Sequence, residues 1–472
     1  MRSTRERVGG NRTALLPPLL SFLLVAAFAA PAPAQRPARG ANPPEPEPEA
    51  KPLREDDVER IARAYDGADT WTLRAMVLLS LGKDFPPTGA RLVLDAAQDK
   101  DERLPPYAIE LLRGMDAEAL KKVATPELVG ELVERTLRTK HRLLRERTLD
   151  VLARIAPEAG ATTREAWRAW WKDAQKTYAP PAWVPPPKPP MEEEFKTTAT
   201  LFVERAFDLR DAGLDVAIVI DTTGSMQPAI DAARDAIGDV VTLLSNVAPK
   251  LRLGLVEYKD LGDLGDGAQV LVPLSRGEKA VHEKLGRLIA SGGGDAPERV
   301  EKGVEFALGT EMNWNKEANR LILVIGDAPP HAESQAGLLE LVKRAHDEPF
   351  ARPPKPGKPE APRTGGGPKP SSKAEPLRPF ITSTIYTAPE AKKTFEEIAK
   401  AGGGASVYLD VGRGGRPARG GKDAPEPEDA SGADPAVRSV VEHIMLLSFG
   451  AEHRAALSIL VRTFFEYLDG AK

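Results

Sequence analysis

Between about residues 56 and 178, apolar positions recur every three or four residues, the spacing of helices that bury one face. Trp71, Ala75, Leu78, Leu79 and Gly82 line one such face, and Tyr107, Ala108, Leu111, Leu112 and Gly114 line a second about 33 residues later. Leu143, Leu149, Leu152 and Ile155 continue the series. A spacing of this size predicts an all-α region of stacked helix pairs, similar to HEAT repeats. A single non-repeating bundle satisfies the same pattern. A helix over 162–176 would close the stack, with Trp167, Trp170 and Trp171 at i, i+3 and i+4 on its core side.

Residues 179–190 are mostly proline, a stiff spacer, and the pattern changes after them. Short apolar runs at 215–220, 251–258, 268–274, 320–325, 380–386 and 405–409 predict strands. Helical spacing fills 228–244, 279–289, 298–308, 335–346, 394–401 and 435–468. Runs that are apolar throughout belong to strands buried on both faces, so a mostly parallel doubly wound α/β sheet is expected. The 251–258 and 268–274 pair is joined by a short Gly- and Asp-rich segment, which suits an antiparallel connection.

Glycine and proline, 40 and 44 residues, concentrate in 179–190, 353–376 and 412–434, so they mark linkers and insertions rather than a fibrous repeat. Neither insertion follows a strand and opens a helix with a Lys-Ser/Thr ending, which excludes a phosphate loop. The N-terminus reads basic (Arg2, Arg5, Arg7, Arg12), then apolar from 14 to 30, then Ala32-Pro33-Ala34. That order is a secretory signal over 1–34, although an uncleaved anchor uses the same apolar run. The expected organisation is a signal peptide at 1–34 and a disordered tether at 35–54. A helical domain then fills 55–178, a Pro-rich linker 179–196 and an α/β domain 197–470. The mature chain is expected outside the cytoplasm, secreted or periplasmic, with no further membrane span. The absence of cysteine removes disulfides, thiolate metal sites and cysteine nucleophiles. A net charge of -4 gives no bulk case for nucleic acid.

Chemistry concentrates at the carboxyl end of the first α/β strand, where ligands of such sheets bind. Asp221, Thr223 and Ser225 place one carboxylate and two hydroxyls on a single turn, with Gly224 between them. Three hard oxygen donors suit Mg²⁺, or Mn²⁺ or Ca²⁺. Helix capping explains one hydroxyl, not the set. This Asp-x-Thr-x-Ser resembles the Asp-x-Ser-x-Ser that opens the metal-ion-dependent adhesion site of the von Willebrand factor type A (VWA) family. The resemblance implies a Rossmann-like VWA fold and assigns Asp327, after the fourth strand, to the third loop of the site. In the second loop the family's threonine position is Gly294, and the nearest oxygen donor is Asp295. With Glu257-Tyr258-Lys259-Asp260 the segment is similar to the VWA domains of alpha-kinases, without a kinase domain. The order of signal, helices ending in Ala166-Trp167-Arg168-Ala169-Trp170-Trp171 and VWA domain resembles secreted proteins of planctomycete-type bacteria.

The metal set implied is Asp221, Thr223, Ser225, Asp295 and Asp327. The expected function is metal-dependent binding of a protein partner, as an adhesion or scaffold protein and not an enzyme. A structural scaffold with an empty site is the alternative. A metal-dependent hydrolase ranks below both, since no general base with a shifted pKa can be nominated. Asp260 is expected as a solvated loop charge, with a supporting role at the site as the alternative; His331 is expected as a surface or supporting residue rather than an extra ligand, and Trp314 beneath a helix. His282, His443 and His453 show no ligand spacing.

Overall fold

The computed structural model describes residues 53–184, 197–260, 262–277, 279–293, 297–348, 377–409, 441–442, 444–446, 449–450 and 453–468. The expected signal peptide, the insertions, Asp295 and nearly all of the tether lie outside these residues, as does most of the linker. Leu53, assigned to the tether, is instead packed in the core beside the first helix.

Eight helices open the described chain: α1 Glu55–Gly67, α2 Trp71–Leu79, α3 Ala90–Ala97, α4 Pro105–Gly114, α5 Ala117–Val123, α6 Pro126–Arg138, α7 Arg142–Ile155 and α8 Arg164–Ala174. Their starts are set by local chemistry. The hydroxyls of Thr70, Thr125 and Thr163 accept the N–H of Leu73, Leu128 and Ala166, satisfying donors that a helix start leaves free. Neighbouring helices pair, α1 with α2, α3 with α4 and α6 with α7, and α2, α4 and α7 lie side by side. Trp167 is buried, whereas Trp170 and Trp171 are half-buried and form an aromatic cluster with Tyr178.

A ninth helix, α9 Thr198–Ala212, precedes the sheet and packs on α1 and α2. Six strands follow: β1 Leu214–Asp221, β2 Arg252–Tyr258, β3 Ala268–Arg276, β4 Asn319–Gly326, β5 Phe380–Tyr386 and β6 Gly403–Tyr408. Their order is β3-β2-β1-β4-β5-β6, all parallel except the β2–β3 pair. The doubly wound sheet and its one antiparallel pair are therefore as expected. Helices α10 Gln227–Val247, α11 Lys279–Arg287, α12 Val300–Ala307, α13 Ala332–Asp347 and α14 Lys392–Ala401 flank it. The Trp314 indole N–H donates to Ala307 O at 2.8 Å, at the end of α12.

Side chains of a strand alternate between faces, and here each face joins a different core. Val216, Ile218 and Ile220 of β1, with Leu321, Leu323 and Ile325 of β4, join a core that continues through the helical region. Ala217, Val219, Ile322 and Val324 face the other way, against α12, α13 and α14. A closing helix, Arg454–Leu468, packs on α2 and α4 rather than on the sheet. His453, just before it, is buried against the Phe202 ring of α9, 4.9 Å between centroids.

Candidate metal-binding site

The order of strands reverses at β1 and β4, which opens a crevice beyond their carboxyl ends. Four loops meet there and are tied by backbone hydrogen bonds. Gly224 N donates to Gly292 O, Ser291 N to Thr222 O and Glu298 N to Pro329 O, each at 3.0 Å. Gly293 N donates to Asp263 Oδ2 at 2.7 Å. Gly293 adopts φ 73°, and a Cβ there would lie 2.8 Å from the Thr223 Cβ, so only glycine lets the loop close.

Asp221 ends β1 fully buried. Its Oδ1 accepts the backbone N–H of Thr223 at 2.8 Å and the Thr223 hydroxyl at 2.7 Å. Its Oδ2 is buried with no partner among the described residues. A Cβ on Gly326 would lie 3.6 Å from the Asp221 Cβ, so β4 delivers Asp327 beside Asp221. Asp327 is half-buried, and Ser225 is exposed on the turn Gly224–Met226. Asp295 lies outside the described residues.

The sequence reading missed Glu298. It is 3% exposed, lies with Thr223 around Gly293, and its Oε2 is also unpartnered among the described residues. Its depth follows from the backbone bond to Pro329 and a bridge to Pro330, long-range contacts that no local pattern announces. Burial, then the charges of Asp221, Asp260 and Asp327, push its carboxyl up to about 8. Burial likewise pushes Asp221 up to about 7, against the opposing Thr223 bonds and Lys259. Lys259 is itself held by Ser291, its ammonium donating to the carbonyl at 2.6 Å and the hydroxyl at 2.9 Å.

Two expectations change. Asp260 is not a solvated charge, because its Oδ1 lies 2.8 Å from His331 Nε2 and the pair joins two of the loops. Carboxyls with shifted pKa values do exist, although none could be nominated from sequence. Both shifts arise where acids are buried together, the situation a bound cation relieves.

The two raised values carry a pH signature. A carboxyl that holds its proton more tightly when folded contributes stability that is complete below its unfolded value near 4. That contribution is lost as pH rises through 7 and 8. In chelator, the Tm of the native protein should therefore fall between pH 5 and pH 8 relative to an Asp221→Asn, Glu298→Gln variant. A constant difference across that range would remove both groups from the account.

Residues 215–347 match the family model described as the von Willebrand factor A domain. This part of the chain is a VWA domain. It is 29% identical over 133 residues to the ariadne-like RING finger protein R811 of Acanthamoeba polyphaga mimivirus, covering 26% of this chain and 12% of that protein's length. Among solved structures, the SpRpn10 VWA domain aligns at 14% identity over 41% of this chain and 86% of its own, with a TM-score of 0.29. The conserved hypothetical protein BatB from Bacteroides thetaiotaomicron aligns at 16% identity over 50% of this chain and 99% of its own, with a TM-score of 0.31. Scores this low add nothing to the assignment.

Does the VWA domain have donors that fit a divalent cation? Among the described residues no three Asp, Glu or His side chains form a metal cluster by themselves. The donor set depends on hydroxyls, and its anchor is the unpartnered Oδ2 of Asp221. Hydroxyl and carboxylate oxygens around a buried, unsatisfied carboxylate oxygen fit a hard cation.

Proposed function

We propose that the VWA domain holds one divalent cation, Mg²⁺ or in its place Mn²⁺ or Ca²⁺, and binds a protein partner through it. The buried Asp221 Oδ2, unpartnered beside an Oδ1 that already takes two hydrogen bonds, is the observation that carries the reading. Asp221, the hydroxyls of Thr223 and Ser225, and Asp327 are the donors. Asp295 acts through water, since three directly bound carboxylates would leave a divalent site with one net negative charge and repel an acidic partner. When bound, the cation offers an open coordination position to a partner's oxygen. Thr223 keeps Asp221 oriented, Lys259 offsets part of its charge, and the Asp260–His331 pair fixes the loop that follows β4.

The activity is recognition and not turnover, in a protein of the cell envelope or extracellular space that serves as adhesion molecule or scaffold. Its location rests on the basic, apolar and small-residue order of the first 34 positions. Among the described residues no helix is long and apolar enough to cross a membrane. Capture of partners from the extracellular fraction, with Mg²⁺ or with chelator, tests the reading. A partner retained only with Mg²⁺ supports it, and one retained equally in chelator moves the interaction to the helical region. Asp295→Thr should keep cation binding within about tenfold, because the threonine hydroxyl can still hold the bridging water. Loss of more than a hundredfold by calorimetry would make Asp295 a direct ligand.

A further inference from the structure

Two unsatisfied carboxylate oxygens lie buried in the VWA crevice, and the donors named so far account for one of them. We propose, resting on the cation reading above, that Glu298 supplies the second loop's donor to that cation, and that Lys259 balances the charge this donor brings. Glu298 would then take the part of the threonine that the loop lacks at Gly294.

Glu298 is no surface acid. It is 3% exposed, and its backbone is fixed twice, by the N–H donated to Pro329 O at 3.0 Å and by the bridge to Pro330. Both prolines follow closely on Asp327, so the pairing sets Glu298 against the loop that carries a proposed ligand. The carboxyl also meets the Gly293 turn. A Cβ built there would lie 3.2 Å from Glu298 Oε1 and 2.8 Å from the Thr223 Cβ. Thr223 in turn gives its hydroxyl to Asp221 Oδ1 at 2.7 Å. Glu298 thus spans three loops of the site. Its Oε2 and Asp221 Oδ2 are closed to solvent and unpartnered among the described residues, the situation in which buried carboxylates bind metal. Such oxygens form the floor of a site, while the exposed Ser225 and the half-buried Asp327 lie on its open side. The carboxyls alone make no cluster of three among the described residues, so Thr223, bonded to Asp221 and packed with Glu298 around Gly293, joins the two.

The balance of charge brings in Lys259. Carboxylates at Asp221, Asp327 and Glu298 would leave a divalent site with one net negative charge. Lys259 follows Tyr258, the residue that pairs with Asp221 across β1 and β2. It is 8% exposed, and its ammonium is pinned by Ser291 of the second loop, at 2.6 Å from the carbonyl and 2.9 Å from the hydroxyl. That fixed positive charge returns the site to neutrality, so a partner's carboxylate stays an acceptable further ligand. Asp295 would be a fourth carboxylate, in keeping with a role through water.

Calorimetry of Mn²⁺ binding to the full chain, with water-proton relaxation to count the waters on the bound ion, tests this. Glu298→Gln and Glu298→Asp should each weaken Mn²⁺ by about tenfold or more, the first by removing the charge and the second by withdrawing the carboxylate one methylene. Glu298→Ala should add one exchangeable water to the bound ion, which loss of a merely structural residue would not do. Lys259→Met should act in the opposite sense, tightening Mn²⁺ by about threefold or more while weakening acetate on the Mn²⁺-loaded protein by a similar factor. Affinity within about threefold of native for either the Gln or the Asp variant, or an unchanged water count in Glu298→Ala, would overturn the proposal. A native protein that takes up no Mn²⁺ would overturn the cation reading beneath it as well.

Discussion

On the proposed reading, Asp221→Ala should abolish the stabilisation expected from Mg²⁺ or Mn²⁺. A ligand that binds only the folded state at 100 times its Kd stabilises by about 2.7 kcal/mol, and the variant should show none of it. The effect is total because Asp221 alone combines full burial, a position at the strand end and an oxygen left unpartnered. The metal-free variant should at the same time match or exceed the native protein in stability at pH 8, since a buried carboxyl pushed up to about 7 is gone. Differential scanning calorimetry with and without cation reads both outcomes. A variant that unfolds earlier in chelator at pH 8 would make Asp221 a structural residue.

The second large effect belongs to Glu110, a fully buried carboxylate on α4. Its oxygens accept from Arg113 at 3.0 Å, from Arg147 of α7 at 2.8 Å and from Arg462 of the closing helix at 3.1 Å. Arg147 also pairs with Glu466 and lies over the Tyr467 ring. Arg147 keeps Glu466, and Arg113 and Arg462 reach solvent, so removing Glu110 should cost about 3 kcal/mol, the low end for breaking a buried pair. Glu110→Ala should therefore lower unfolding stability by that amount in urea titration. Glu110→Gln, which keeps acceptor and volume, should fall between the two. A cost below about 1 kcal/mol for the alanine variant would mean that solvent already carries these charges.

Much of the sheet was legible because β1 and β4 carry unbroken apolar runs over 216–220 and 321–325, and Asp221 because a carboxylate closes the first of them. Helix α9 carried a readable signal that was passed over: Ala199, Phe202, Val203, Ala206 and Leu209 keep helical spacing behind the Thr197 cap. Glu298 had none, since its burial comes from Pro329 and Pro330 across the crevice. The Asp260–His331 bond was equally hidden, because 71 positions separate the partners.

Even-numbered positions of β1 belong to a core that continues into the helical stack, while odd-numbered ones lie against α12 in the opposite core. A partner tugging on the rim loops would thus load β1 lengthwise and pass tension into the stack through its flank. Under such traction the packed body of described residues should yield by rupture of that shared core rather than by pivoting about it.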